Sequence, residues 1–281
     1  MTGTLTVEAQ TVQAQTVQAQ NVQAQTVQAL RLRIAAIERQ GTCKGACKGA
    51  RKAVDVSPRV RFGIAAIDDL LPDAGLAGGA LHEVLGQGAD SEHAALPSQL
   101  VGALLAPAPG QVLWAMRGRD LFAPALAAIG LHPDRLILVE AGSRVLDVME
   151  EALRHPGLLG VVGEIEGKLG LTASRRLQLA AEASGAIGFA IRRSRQFDDP
   201  QLCAPSAAAS RWRVANLPHG SPQASPERML GPSVWRLDLL RYRGMRTALP
   251  THWILERCDE THRLSLAAAL ADRPAVTRRS A

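Results

Sequence analysis

From about Val60 to Arg193, short apolar runs alternate with helix-like stretches, and this rhythm restricts the fold more than any other feature of the chain. LHEVLG (81–86), QVLWAM (111–116), RLILVE (135–140), LLGVVGEI (158–165) and AIGFAIRR (186–193) read as strands. Between them, SEHAALPSQLVGALLA, RDLFAPALAAIG (119–130), RVLDVMEEALRHPG (144–157) and LTASRRLQLAAEASG (171–185) read as helices, the first begun or interrupted near Pro97. Strands apolar on both faces, separated by helices, imply an α/β fold with a largely parallel sheet flanked by helices. RWRVANL (211–217), VWRLDLLRYR (234–243) and THWILER (251–257) alternate in polarity, as antiparallel strands extending that sheet would. Functional groups in such a fold belong at the carboxyl ends of the strands.

Outside this region the character changes. Residues 6–30 are five copies of a TVQAQ-like pentapeptide whose valines fit neither a helix face nor a strand, so 1–29 read as a disordered low-complexity tract. Leu30, Ile34 and Ile37 would line one face of a short helix within 29–40, followed by a basic linker to residue 57. The α/β domain is expected over 58–265 and a basic tail over 266–281. Of the four cysteines only Cys43 and Cys47 are close in sequence, with no second Cys/His pair near them. Reduced thiols and no metal are the expectation. No apolar run approaches the ~20 residues of a membrane helix, and no basic segment leads into an apolar stretch as in a signal peptide. The setting expected is cytoplasmic, with nucleoid association where nucleic acid is the partner.

Charge is unevenly distributed. Segment 31–61 carries nine positive and two negative charges, 62–191 carries eight and fifteen, and 192–246 carries ten and four. Basic flanks around an acidic centre suit a polyanion or an acidic partner at the flanks and disfavour anions in the centre.

The run IDDLLPDAGLAGGALHEVLG (67–86) leads toward a loop where a phosphate-binding G-x-x-x-x-G-K-[ST] sequence would stand. Counted from Gly86, its last three positions fall on Ser91, Glu92 and His93. The lysine and hydroxyl that reach phosphate and magnesium are missing, and the Glu92 carboxylate would repel phosphate. His82-Glu83 lacks the second histidine of a metalloprotease motif, and Gly167-Lys168 lacks a first glycine and a following hydroxyl; neither is read as a site. Arg175 and Arg176 start a helix, and Arg192, Arg193 and Arg195 stand where a strand runs into a loop that Arg211, Trp212 and Arg213 close. Arginines beside an indole can grip single-stranded nucleic acid or a protein partner. Solvated arginines and a core tryptophan are the plainer reading.

The segments LRLRIAAIE (30–38), FGIAAIDDLLPDAGLAGGALHE (62–83), LWAMRGRDLFAPALAAIGLHPDRLILV (113–139), LTASRRLQLAAEASGAIGFAIR (171–192), SRWRV (210–214), RLDLLRYRG (236–244) and the terminal LADRP resemble, in order and spacing, the ImuA family of damage-inducible mutagenesis proteins. That family is RecA-like and grouped with SulA-like proteins. The resemblance implies a RecA-like fold, induction by the SOS response, and a role beside ImuB and a DnaE-type polymerase in error-prone lesion bypass, with RecA as a further contact. It also implies positions that an ATPase of this type would need. Where such an enzyme presents a water-orienting glutamate, this chain has Met116 and Arg117. The strand that should end in a magnesium-binding aspartate ends in Gly163 and Glu164, and only Glu164 could mimic it. ATP hydrolysis is therefore not expected and no cofactor is called for. The SulA-like grouping leaves a second reading, a damage-induced inhibitor of the cell-division GTPase.

Overall fold

The computed structural model describes residues 59–267 apart from 73, 195, 197–198, 218–232, 246–250, 259–260 and 262. The segments read as a repeat tract, helix and linker (1–57) lie outside the described residues, as does all but the start of the tail. In chain order the elements are α1 (Ala65–Asp68), β1 (Leu81–Gly86), α2 (Asp90–His93), α3 (Ala95–Leu105), β2 (Gln111–Met116), α4 (Ala123–Ala127), β3 (Leu136–Glu140), α5 (Val145–Leu153), β4 (Leu158–Glu166), α6 (Leu171–Ser184), β5 (Ile187–Arg193), β6 (Ser210–Asn216), β7 (Val234–Tyr242), β8 (Thr251–Arg257) and β9 (Leu264–Leu266).

The strands form one sheet in the order β3-β2-β4-β5-β1-β6-β7-β8-β9. The first six run parallel and the last three pair antiparallel. β6 thus departs from expectation: RWRVANL is parallel to β1 and antiparallel only to β7. Its alternation mimics a half-exposed strand because Arg211 is polar, yet Arg211 is buried. The helix expected over 119–130 is confined to Ala123–Ala127. Pro124 sits in its first turn, where a missing N–H and a fixed φ suit a helix start.

Each parallel strand divides its side chains between two cores. Val84, Trp114, Val162, Phe189 and Ile191 pack with α3 and α4 on one face. Leu81, Ala115, Val161, Ile165 and Ala190 pack with α5 and α6 on the other. Gly163 lets α5 lie close against β4, since a Cβ there would stand 2.0 Å from Met149 Sδ. Gly185 ends α6 at φ +81, a left-handed position that glycine adopts at little cost, and its N–H bonds Ala181 O. The 62–68 motif is an entry clamp: the Asp68 carboxylate accepts the amides of Phe62 and Gly63 at 2.9 and 3.0 Å, and Phe62 lies 4.9 Å from the Trp212 ring.

Candidate functional site

β1 delivers the chain to the carboxyl edge of the sheet at Gly86, and α2 begins after only Gln87, Gly88 and Ala89. A phosphate-binding loop works by pointing free amides at the anion. Here the Gln87 amide donates to Val214 O at 3.1 Å, and Asp90 donates to Ser194 O at 2.7 Å. Glu92 and His93 donate to Ala89 O at 3.1 and 3.0 Å. The loop is also tight, for a Cβ on Gly86 would sit 3.1 Å from His93 Cβ. Ser91 and the Glu92 side chain face solvent, and Glu92 lies 3.7 Å from His93 Nε2. Burial pushes the Asp90 carboxyl above the usual carboxylate range, against the pull of Arg193.

Glu164, the carboxylate at the metal-binding position, is buried on β4 and fully engaged. Its Oε1 accepts the Trp114 indole N–H at 2.9 Å, and its Oε2 accepts Nε and Nη2 of Arg193. Arg193 donates further to Ala94 O at 3.2 Å and lies 3.4 Å from Asp120. The guanidinium thus ties β5 to β4 and to the start of α3.

The next residue back does the same on the opposite face. Arg192 lies with its Nη1 3.9 Å from Glu83 Oε1, and Arg211 donates its Nε to Glu83 Oε2. Burial holds the Arg192 guanidinium below its ordinary value, against the pull of Glu83. Trp212 is buried between Phe62 and Trp253. Arg192, Arg193, Arg211 and Trp212 are therefore buried and engaged inside the domain, and they form no exposed patch. Adjacent strand residues face opposite sides, and each arginine meets a buried carboxylate. Arg195 lies outside the described residues. Arg213 is partly exposed and holds Asp238 at 2.9 Å together with Arg236. Arg175 and Arg176 are both exposed, and Arg176 pairs with Glu150.

His82 and Glu83 also face opposite sides of β1. The His82 Nε2–H donates to Ala77 O at 3.0 Å, which leaves Nδ1 to accept the Ser210 hydroxyl at 2.7 Å. Ser210 in turn accepts the Trp212 indole N–H at 2.7 Å. Burial lowers the His82 pKa to about 4. The native state refuses a proton that the unfolded chain accepts below pH ~6.5, so this contribution to stability is complete above that pH and lost as pH falls toward 4. It amounts to about 3 kcal/mol, more than half of it gone by pH 5. Urea midpoints should fall between pH 7.5 and 5, and fall less in His82→Gln; equal slopes would remove His82 as the cause.

A parallel sheet with helices on both faces and a phosphate-loop position at the end of its first strand defines a RecA-like α/β protein. The crystal structure of the RadB recombinase superposes on the chain with a TM-score of 0.51 at 16% identity, covering 74% of this chain and 100% of that one. Protein ImuA of Caulobacter vibrioides, in strains NA1000 / CB15N and ATCC 19089 / CIP 103742 / CB 15, is 40% identical over 217 residues, 73% of this chain and 86% of that protein. The chain belongs to the ImuA family. No protein-family model matches it. Among the described residues no helix is long and apolar enough to cross a membrane.

Proposed function

We propose that the chain is a non-catalytic accessory protein of error-prone lesion bypass, acting with ImuB and a DnaE-type polymerase. ImuA-family membership and the RecA-like fold support a role in the damage-inducible mutagenesis system. The observation that carries the non-catalytic part is the Glu164–Arg193 pair: the carboxylate that would hold magnesium is buried and bound by an internal guanidinium. Phosphoryl transfer needs a free carboxylate, a lysine and open amides at once. The Gln87 and Asp90 amides, held by Val214 O and Ser194 O, argue the same way.

The body would then serve as scaffold, and the basic segments as contact surfaces. RecA is a further partner in this reading. Single-stranded DNA would meet exposed arginines such as Arg175 and the half-exposed Arg213 rather than the buried pairs.

Full-length protein recovered from cells after DNA damage tests both parts. ImuB or the polymerase should co-purify, and ATP turnover should stay at background. Turnover that disappears in Glu164→Gln would overturn the non-catalytic assignment. Recovery of the division GTPase without polymerases would favour the SulA-like inhibitor reading.

A further inference from the structure

A cavity of about 630 Å³ opens at the carboxyl end of β1 and over the amino-terminal half of β6, between the Gly86–Gly88 turn and the short helical turn Pro200–Cys203. It belongs to the size class of small-molecule sites. Its β1 side also fits, since ligands of open α/β sheets bind beyond the carboxyl ends of the strands. Leu85, Leu202 and Leu240 line it together with Arg211, Arg213 and Arg241.

The charge around it is not balanced from within. Arg211 and Arg241 stand directly opposite each other on β6 and β7, a like-charged cross-strand pair that costs stability. Arg211 shares Glu83 with Arg192. Arg213 shares Asp238 with Arg236. Asp199, which lines the cavity, already accepts Ser194 Oγ and the Gln201 amide. Among the described residues that line it, three arginines (211, 213 and 241) stand against one carboxylate (Asp199), and the neighbouring Glu83 and Asp238 are each shared with a further arginine, which leaves an excess of two positive charges before Arg243, whose charge also bears on Arg241, is counted. Arg241 reflects that excess: burial first, and Arg211 second, hold its guanidinium below the ordinary value. Arg241, which lines the cavity, has its Nε buried with no hydrogen-bond partner among the described residues.

We propose that this cavity binds a phosphate monoester, a dianion that matches the two unbalanced charges and whose apolar or sugar portion would rest on Leu85, Leu202 and Leu240. Guanidinium forks match phosphate oxygens in geometry as well as charge. The site adjoins the loop residues Gly86, Gln87 and Gly88, and it does not depend on the accessory role. A free small molecule and the 5′ end of a nucleic acid carry the same group.

Thermal unfolding of the full-length protein in inorganic phosphate, against chloride at matched ionic strength, tests the site. Phosphate should raise Tm by a few degrees, about 3 °C once the site is saturated. Cys203 is exposed and lines the cavity, so Cys203→Glu adds a tethered carboxylate with little risk to folding. That variant should lose the phosphate-dependent shift, whereas Cys203→Gln should keep it. A 5′-phosphorylated oligonucleotide that competes with phosphate when its 5′-hydroxyl twin does not would place the ligand on a nucleic-acid end. Competition by thymidine monophosphate alone would place it on a free molecule. Phosphate that acts no differently from chloride, or a shift that survives Cys203→Glu, would overturn the proposal. Equal binding of both oligonucleotides without a phosphate effect would overturn it as well. Because the readout is melting, it can fail while the accessory role stands, and the reverse.

Discussion

Replacing Glu164 by alanine is expected to lower the free energy of unfolding by about 3–5 kcal/mol, because removing one partner of a buried ion pair leaves the other charge uncompensated. Glu164 is 4% exposed and Arg193 7%. The substitution would strand the Arg193 guanidinium and orphan the Trp114 indole N–H, which has Glu164 Oε1 as its acceptor. Asp120, bonded to Arg193 at 3.4 Å but solvent-exposed, and the nearby Asp90 would offset only part of the lost charge. Glu164→Gln keeps an acceptor for the indole and should cost less. The double replacement Glu164→Leu with Arg193→Met removes both charges at similar volume and should come back close to the parent, as apolar replacement of buried ion pairs often does. A carboxylate held ready for magnesium would behave differently, since removing it would leave no buried cation behind. Urea denaturation of the three variants separates these cases, and a loss below about 1 kcal/mol in Glu164→Ala would end the structural assignment.

The sheet was largely legible because its strands are short apolar runs between helices with clear ends. LHEVLG, QVLWAM and THWILER match β1, β2 and β8 residue for residue. The parallel pairing of β6 was not legible, because RWRVANL shows alternation but not where Arg211 finds its partner. That partner, Glu83, lies 128 positions away. The same limit hid the roles of Arg192 and Arg193. An arginine at a strand end is ordinarily exposed, and only the fold shows that two neighbours on β5 turn to opposite faces and meet Glu83 and Glu164. A signal was present on the acidic side: a lone glutamate inside LHEVLG and another inside LLGVVGEI, each in an otherwise apolar strand, must be paired if buried. The missing lysine at position 92 was readable directly. The closing of the loop amides was not, since it depends on carbonyls of Val214 and Ser194 brought in by β6 and by the end of β5.

Glu83→Gln is expected to cost a similar 3–5 kcal/mol, by a route that separates the two faces of the sheet. Glu83 is fully buried and is the carboxylate shared by Arg192, 1% exposed, and Arg211, 8% exposed. An amide in its place accepts one hydrogen bond from Arg211 but leaves Arg211 and Arg192 without their shared counter-charge, with only Asp199 near Arg192 and a third guanidinium, Arg241, opposite Arg211. Arg211→Met alone should cost less, because Glu83 keeps Arg192 and the cross-strand repulsion with Arg241 disappears. In the double variant the loss should be smaller than the sum of the two singles, and the difference measures the coupling of the pair. Glu164 and Glu83 sit on opposite faces, so losses from Glu164→Gln and Glu83→Gln should simply add. Strong non-additivity between those two would mean that β5, which carries both Arg192 and Arg193, shifts as a unit when either glutamate is lost. Additivity would mean that each face holds its own arginine independently, as the separate contacts of Arg192 and Arg193 imply.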